Sequence, residues 1–104
     1  MISRIWHGWT NHENADAYEE LLRTEIFANI EKQSIPGYRD IHLLRRDIDD
    51  GVEFVTIMWF ETLEAVKAFA GEEYEVAVVP PEARQLLSRF DNRSAHYQVM
   101  VAPD

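Results

Sequence analysis

Val52-Glu53-Phe54-Val55-Thr56-Ile57-Met58-Trp59-Phe60 is the most strand-prone run in the chain. Its β-branched and aromatic residues suit a pleated backbone, and it is apolar on both parities. A strand of that kind is covered on both faces. Upstream, Asp47-Ile48-Asp49-Asp50-Gly51 supplies an Asp-Gly turn signal, so Tyr38–Arg46 reads as the antiparallel partner of a hairpin. Downstream, Thr62 is placed to cap a helix that buries Leu63, Val66 and Phe69 and breaks at Gly71.

The flanks repeat this strand-and-helix pattern. Ile2–Thr10 reads as a strand with Ile5, His7 and Trp9 on one face and Arg4, Trp6 and Gly8 on the other. Asn14 is placed to cap a helix whose stripe is Ala15, Tyr18, Leu22, Ile26 and Ile30, running to about Lys32 and ending before Pro36-Gly37. Pro80-Pro81 starts a further helical segment with Leu86, Leu87 and Phe90 on its apolar side, and His96–Val101 reads as a fourth strand. The order predicts an α+β, ferredoxin-like βαββαβ domain spanning residues 1–104, an antiparallel sheet with helices on one face.

Composition narrows the function classes. The 104 residues carry nineteen acidic against ten basic side chains, a formal net charge of -9, which repels phosphate backbones and makes nucleic acid and anionic membranes poor partners. No cysteine is present, which removes disulfides, thiolate nucleophiles and cysteine metal sites. No apolar run reaches the ~20 residues of a membrane span, and no secretory leader is expected, so the reading is a cytoplasmic protein. The four glycines stand singly and form no phosphate loop, and no serine has nucleophile-elbow context. Met58 stands where an Asp47-based calcium loop needs a bidentate Glu. The histidines lack zinc spacing. A site could assemble only in three dimensions, from His7, His42 and His96, and the expectation is no metal.

Two side-chain sets stand out. Trp9 and Trp59 share parity with His7, Val55 and Ile57, and with Tyr18, Leu22 and Phe69 from the helices they would wall an aromatic chamber, His96 adding a polar group. The other parity, Phe54, Met58 and Phe60 with Trp6, would then be an apolar sheet face covered by a second copy of the chain.

The strand Val52–Phe60 running into Glu61-Thr62-Leu63-Glu64-Ala65-Val66-Lys67-Ala68-Phe69, the Ile35-Pro36-Gly37-Tyr38 turn and Trp59 at the strand's end resemble the antibiotic biosynthesis monooxygenase family. The resemblance covers nearly the whole chain. It implies a dimeric α/β barrel, in which two ferredoxin-like sheets face each other and each subunit keeps a cavity between sheet and helices. It also implies, for one branch of the family, cofactor-independent oxygenation of a polycyclic phenol whose own ring reduces dioxygen. That branch carries an Asn four residues before the third-strand Trp, where this chain has Val55. Haem-degrading members carry an Asn, a Trp and a ligating His at positions matched here by His7, Phe69 and Val78–Pro81, which disfavours haem. The expectation is a monooxygenase-like protein acting on an aromatic small molecule without cofactor. His7 would be the proton acceptor, and Trp9, Tyr18, Val55, Ile57, Trp59, Phe69 and His96 would contact substrate. The alternative is a non-catalytic small-molecule-binding or scaffold dimer of the same fold.

Overall fold

The computed structural model describes residues 1–102; the last two residues of the domain expected over 1–104 lie outside them. Strand β1 (Ile2–Thr10) is followed by helix α1 (Ala15–Leu21), a π-helical turn (Leu22–Ile26) and helix α2 (Phe27–Lys32). Strands β2 (Tyr38–Ile48) and β3 (Gly51–Phe60) form the hairpin, then come α3 (Leu63–Ala70), α4 (Pro81–Leu86), β4 (Leu87–Phe90) and β5 (Ala95–Gln98). The antiparallel sheet runs β2-β3-β1-β4, with β5 also on β1, and the helices pack on one face. This is the ferredoxin-like α+β arrangement.

Local chemistry accounts for most boundaries. Ala65 N–H donates to Thr62 Oγ1 at 3.2 Å, the cap expected for α3, and the chain leaves that helix at Gly71 with φ +90°. Asn14 does not cap α1 with its side chain. Its own N–H is taken by Asn11 Oδ1 at 2.7 Å, and its Nδ2 donates to the Leu86 carbonyl. The hairpin turn is Asp49-Asp50 rather than Asp50-Gly51, and Gly51 pairs with Ile48 as the first residue of β3. Glycine is required there because a Cβ would stand 2.1 Å from the Thr10 carbonyl oxygen.

Leu87–Phe90, expected to continue a helix, is a strand. It pairs with the end of β1 as Gly8–Phe90, Trp9–Arg89 and Thr10–Leu87, with a bulge at Trp9/Thr10 that Ser88 bridges by donating to the Trp9 carbonyl. The apolar spacing 86, 87, 90 fits a helix, but the free edge of β1 offers backbone partners that a short helix would leave unpaired. The final strand is correspondingly shorter than expected, Ala95–Gln98, and occupies the other half of that edge.

The core lies between sheet and helices. Tyr18 and Leu22 pack on Val52 and Phe54, while Ile30, Ala65 and Val66 pack on Met58 and Phe60. The helix-facing parity of β3 is therefore 52, 54, 56, 58 and 60. Phe54, Met58 and Phe60, expected at a subunit interface, are 0–4% exposed beneath this chain's own helices. Glu53, Val55, Ile57 and Trp59 face the opposite way, on the side no helix covers.

Candidate functional site

A half-open cavity lies between the sheet and the helices, with a free volume of about 70 Å³. The sheet contributes Arg4, Trp6, Thr56 and Met58, the helical layer contributes Tyr18 and Phe69 among others, and the Val78–Pro80 segment closes one side. Leu22 and Ile26, the two ends of the π-helical turn, both line it. Such turns recur at functional sites, and two residues four apart in a helical turn share one wall. Gly8 makes room for the indole of Trp6, whose ring atoms would meet a Cβ there at 2.7 Å, and Trp6 Nε1 donates to the Asp91 carbonyl at 2.7 Å.

Arg4 is the charged residue of the lining and is only 4% exposed. Its Nη1 donates to the Tyr74 carbonyl and, at 2.9 Å, to His96 Nε2; Nη2 reaches the Val76 carbonyl at a longer 3.4 Å. The Phe69 ring lies under the guanidinium at 5.6 Å. Burial pulls Arg4 down to about 10, still charged at neutral pH. Because a guanidinium only donates, His96 Nε2 must carry the lone pair, which puts the proton of a neutral ring on Nδ1. That Nδ1 is buried without a hydrogen-bond partner among the described residues. Burial first, and then the Arg4 charge, hold His96 below the usual histidine value. Tyr18 is pushed up by burial and stays a neutral phenol.

The sequence-derived chamber divides between two faces. Tyr18 and Phe69 line the cavity, and His96 touches it through Arg4. His7, Trp9, Val55, Ile57 and Trp59 lie on the uncovered face and line no wall of it, a correction that follows from the reversed strand parity. Trp6 and Met58, expected at an interface, line it instead. On the uncovered face His7 Nδ1 sits 2.9 Å from Glu53 Oε2, and Arg46 Nε donates to Glu53 Oε1 at 2.5 Å. The His7 hydrogen bond, then Arg46, hold the Glu53 carboxyl below its usual range. Trp59 Nε1 donates to His42 Nδ1 at 2.8 Å. His42 and His7 are thus on one face and His96 on the other. Among the described residues no group of three or more His, Asp or Glu side chains is placed to hold a metal.

Arg4 is the charged cavity residue that sequence reading missed. No motif marks it. Its one signal is parity, since residue 4 alternates with His7 and Trp9 and so falls on the helix side with Trp6 and Gly8.

Fold and site define a class: a single ferredoxin-like sheet with a small aromatic-walled cavity under its helices. Among solved structures, the chain is similar to a candidate antibiotic biosynthesis monooxygenase from Bacillus cereus, with a TM-score of 0.67 and 19% identity over 99% of this chain and 96% of that one. The two share their fold along the whole length. No family profile matches the chain, and no curated protein matches it. No helix among the described residues is long and apolar enough to cross a membrane.

Proposed function

We propose that this chain is a small-molecule protein of the antibiotic biosynthesis monooxygenase type, taking a compact aromatic molecule into the cavity between sheet and helices. The observation that supports it is the lining itself: apolar and aromatic walls around a few polar groups, the usual make-up of a ligand pocket. Size restricts the ligand. A free volume of about 70 Å³ is below the ~150 Å³ of an engineered cavity that takes benzene, so one ring part-held in the half-open mouth suits it better than a polycycle. In this reading Tyr18, Trp6 and Phe69 contact the ring.

The enzymatic form of the reading is oxygenation without metal or flavin, the electrons coming from the substrate's own ring. His7 cannot act as its base from the far side of the sheet. The non-catalytic form, a binding or scaffold protein, gains support from that placement. Oxygen uptake with hydroxyanthrones, flavonols and single-ring dihydroxybenzenes separates the two: uptake lost on Phe69→Ala supports the enzyme, whereas saturable quenching of tryptophan fluorescence with no product supports binding alone.

A second copy of the chain is proposed as the cover of the open sheet face. Half-buried Ile5, Trp9, Val55, Ile57 and Trp59, with exposed Leu44, make it far more apolar than a water-facing antiparallel sheet.

A further inference from the structure

Among the described residues Arg4 is a buried cation without a counter-ion. Six other basic side chains, Arg23, Arg39, Arg45, Arg46, Lys67 and Arg93, pair with carboxylates. In a chain with nineteen acidic residues, Arg4 alone of the cavity lining carries charge and meets only carbonyl dipoles, a neutral imidazole and an aromatic face. The nearby Glu75 carboxylate is taken by Arg93 at 3.0 Å. Withdrawing a guanidinium from water without an anion is costly, and its field is strong in a dry, low-dielectric site. Of its five N–H groups, three are engaged, one of them at the long 3.4 Å distance. Arg4 lines the cavity, and its other two N–H groups have no hydrogen-bond partner among the described residues.

We propose that the cavity is an organic-anion site, in which Arg4 holds the single oxyanion of a compact ring compound, a carboxylate or a phenolate, while the ring lies against Phe69, Tyr18 and Met58. This deepens the small-molecule reading above and rests on it. It also assigns the ligand a polarity: the oxyanion goes to the β1–β5 end beside His96, and the ring points toward the helices. A planar fork of donors suits a carboxylate best, because two parallel hydrogen bonds are made at once. His96 supports the arrangement by accepting from Nη1 and so fixing the guanidinium plane.

The test uses matched pairs that differ in charge and little in shape: benzoate against benzamide for the carboxylate, and 4-nitrophenolate at alkaline pH against nitrobenzene for the phenolate. Affinities are read by calorimetry and by the fluorescence of Trp6 in the wall. Wild type is expected to bind at least one anion about tenfold or more tighter than its neutral partner, since hydrogen bonds to charged groups are the strong ones. Arg4→Met is expected to erase that ratio while leaving neutral-ring affinity within a few-fold. Equal affinity for anion and neutral partner in wild type overturns the inference and leaves the cavity reading intact. A preference that survives Arg4→Met overturns Arg4 as the holder. Failure of all four probes to bind overturns the cavity reading itself. If Arg4→Met does not fold, the wild-type pairs decide alone.

Discussion

Tyr18 and Phe54 meet edge to face, their ring centroids 4.8 Å apart at 66°, and both are essentially sealed from solvent. This contact ties α1 to the central strand and shows which parity of β3 belongs to the core. Truncation there leaves a void between helix and sheet. Phe54→Ala is expected to lower stability by about 3–5 kcal/mol, a loss independent of protein concentration. Urea unfolding of wild type and variant at two concentrations checks it, and a wild-type-to-variant difference that itself changes with concentration would move Phe54 back to an interface.

The reversed parity relocates the dimer test. Ile57→Asp puts a charge at the middle of the open sheet face and is expected to leave the fold intact while abolishing self-association. Phe54→Asp and Met58→Asp would instead unfold the chain, by burying an unpaired charge. Sedimentation equilibrium of wild type and Ile57→Asp reads this directly. A wild type that stays monomeric at ~100 μM contradicts the covered face, because obligate dimers associate far below that concentration.

His96 makes stability depend on pH near neutrality. Its folded pKa lies below the unfolded value of ~6.5, so the unfolded chain takes up the proton first. The stabilising contribution of the neutral ring is complete above that value and is lost as pH falls below it toward the folded pKa. His96→Gln is expected to flatten the stability–pH curve in that window, as thermal midpoints across the mildly acidic range will show. An unchanged slope would mean that other groups set it.

Gly51→Ala places a methyl group 2.1 Å from the Thr10 carbonyl, which only a backbone shift relieves. A cost of about 1–3 kcal/mol is expected from such overpacking. At Gly71 a side chain meets nothing within 4 Å, but φ +90° with ψ -176° is backbone that essentially only glycine adopts. Gly71→Ser is therefore expected to cost a comparable amount, about 1–3 kcal/mol, through strain alone. Denaturant midpoints of the two variants give the comparison.

The fold was legible because its signals are local and repeated. The Thr62 cap, the Pro80-Pro81 start and the apolar run 52–60 each specify their element almost unaided. Strand parity was not legible from hydrophobicity, because Phe54, Met58 and Phe60 are no more apolar than Val55, Ile57 and Trp59. One residue carried the answer: Glu53, the sole charged side chain of β3, shares its parity with the second set and marks that side as uncovered. Leu87–Phe90 was misread because it is too short to show a period, and a free strand edge settled its conformation. The site was the least legible part, since Arg4 gains its meaning from the carbonyls of Tyr74 and Val76, some seventy residues away.

The split edge formed by β4 and β5 bears on how the protein behaves when crowded. An unbroken outer strand is a template on which neighbouring chains add and grow fibrils. Here one border of the sheet is two four-residue strands separated by the Asp91–Ser94 corner, beginning at a bulge, and so never presents a long flat ladder. The opposite border, β2, is long, but Arg39, Asp40, Arg45, Arg46 and Asp47 stud it with charge. Both borders thus resist edge-to-edge addition, which leaves the face of the sheet as the surface for the second copy proposed above.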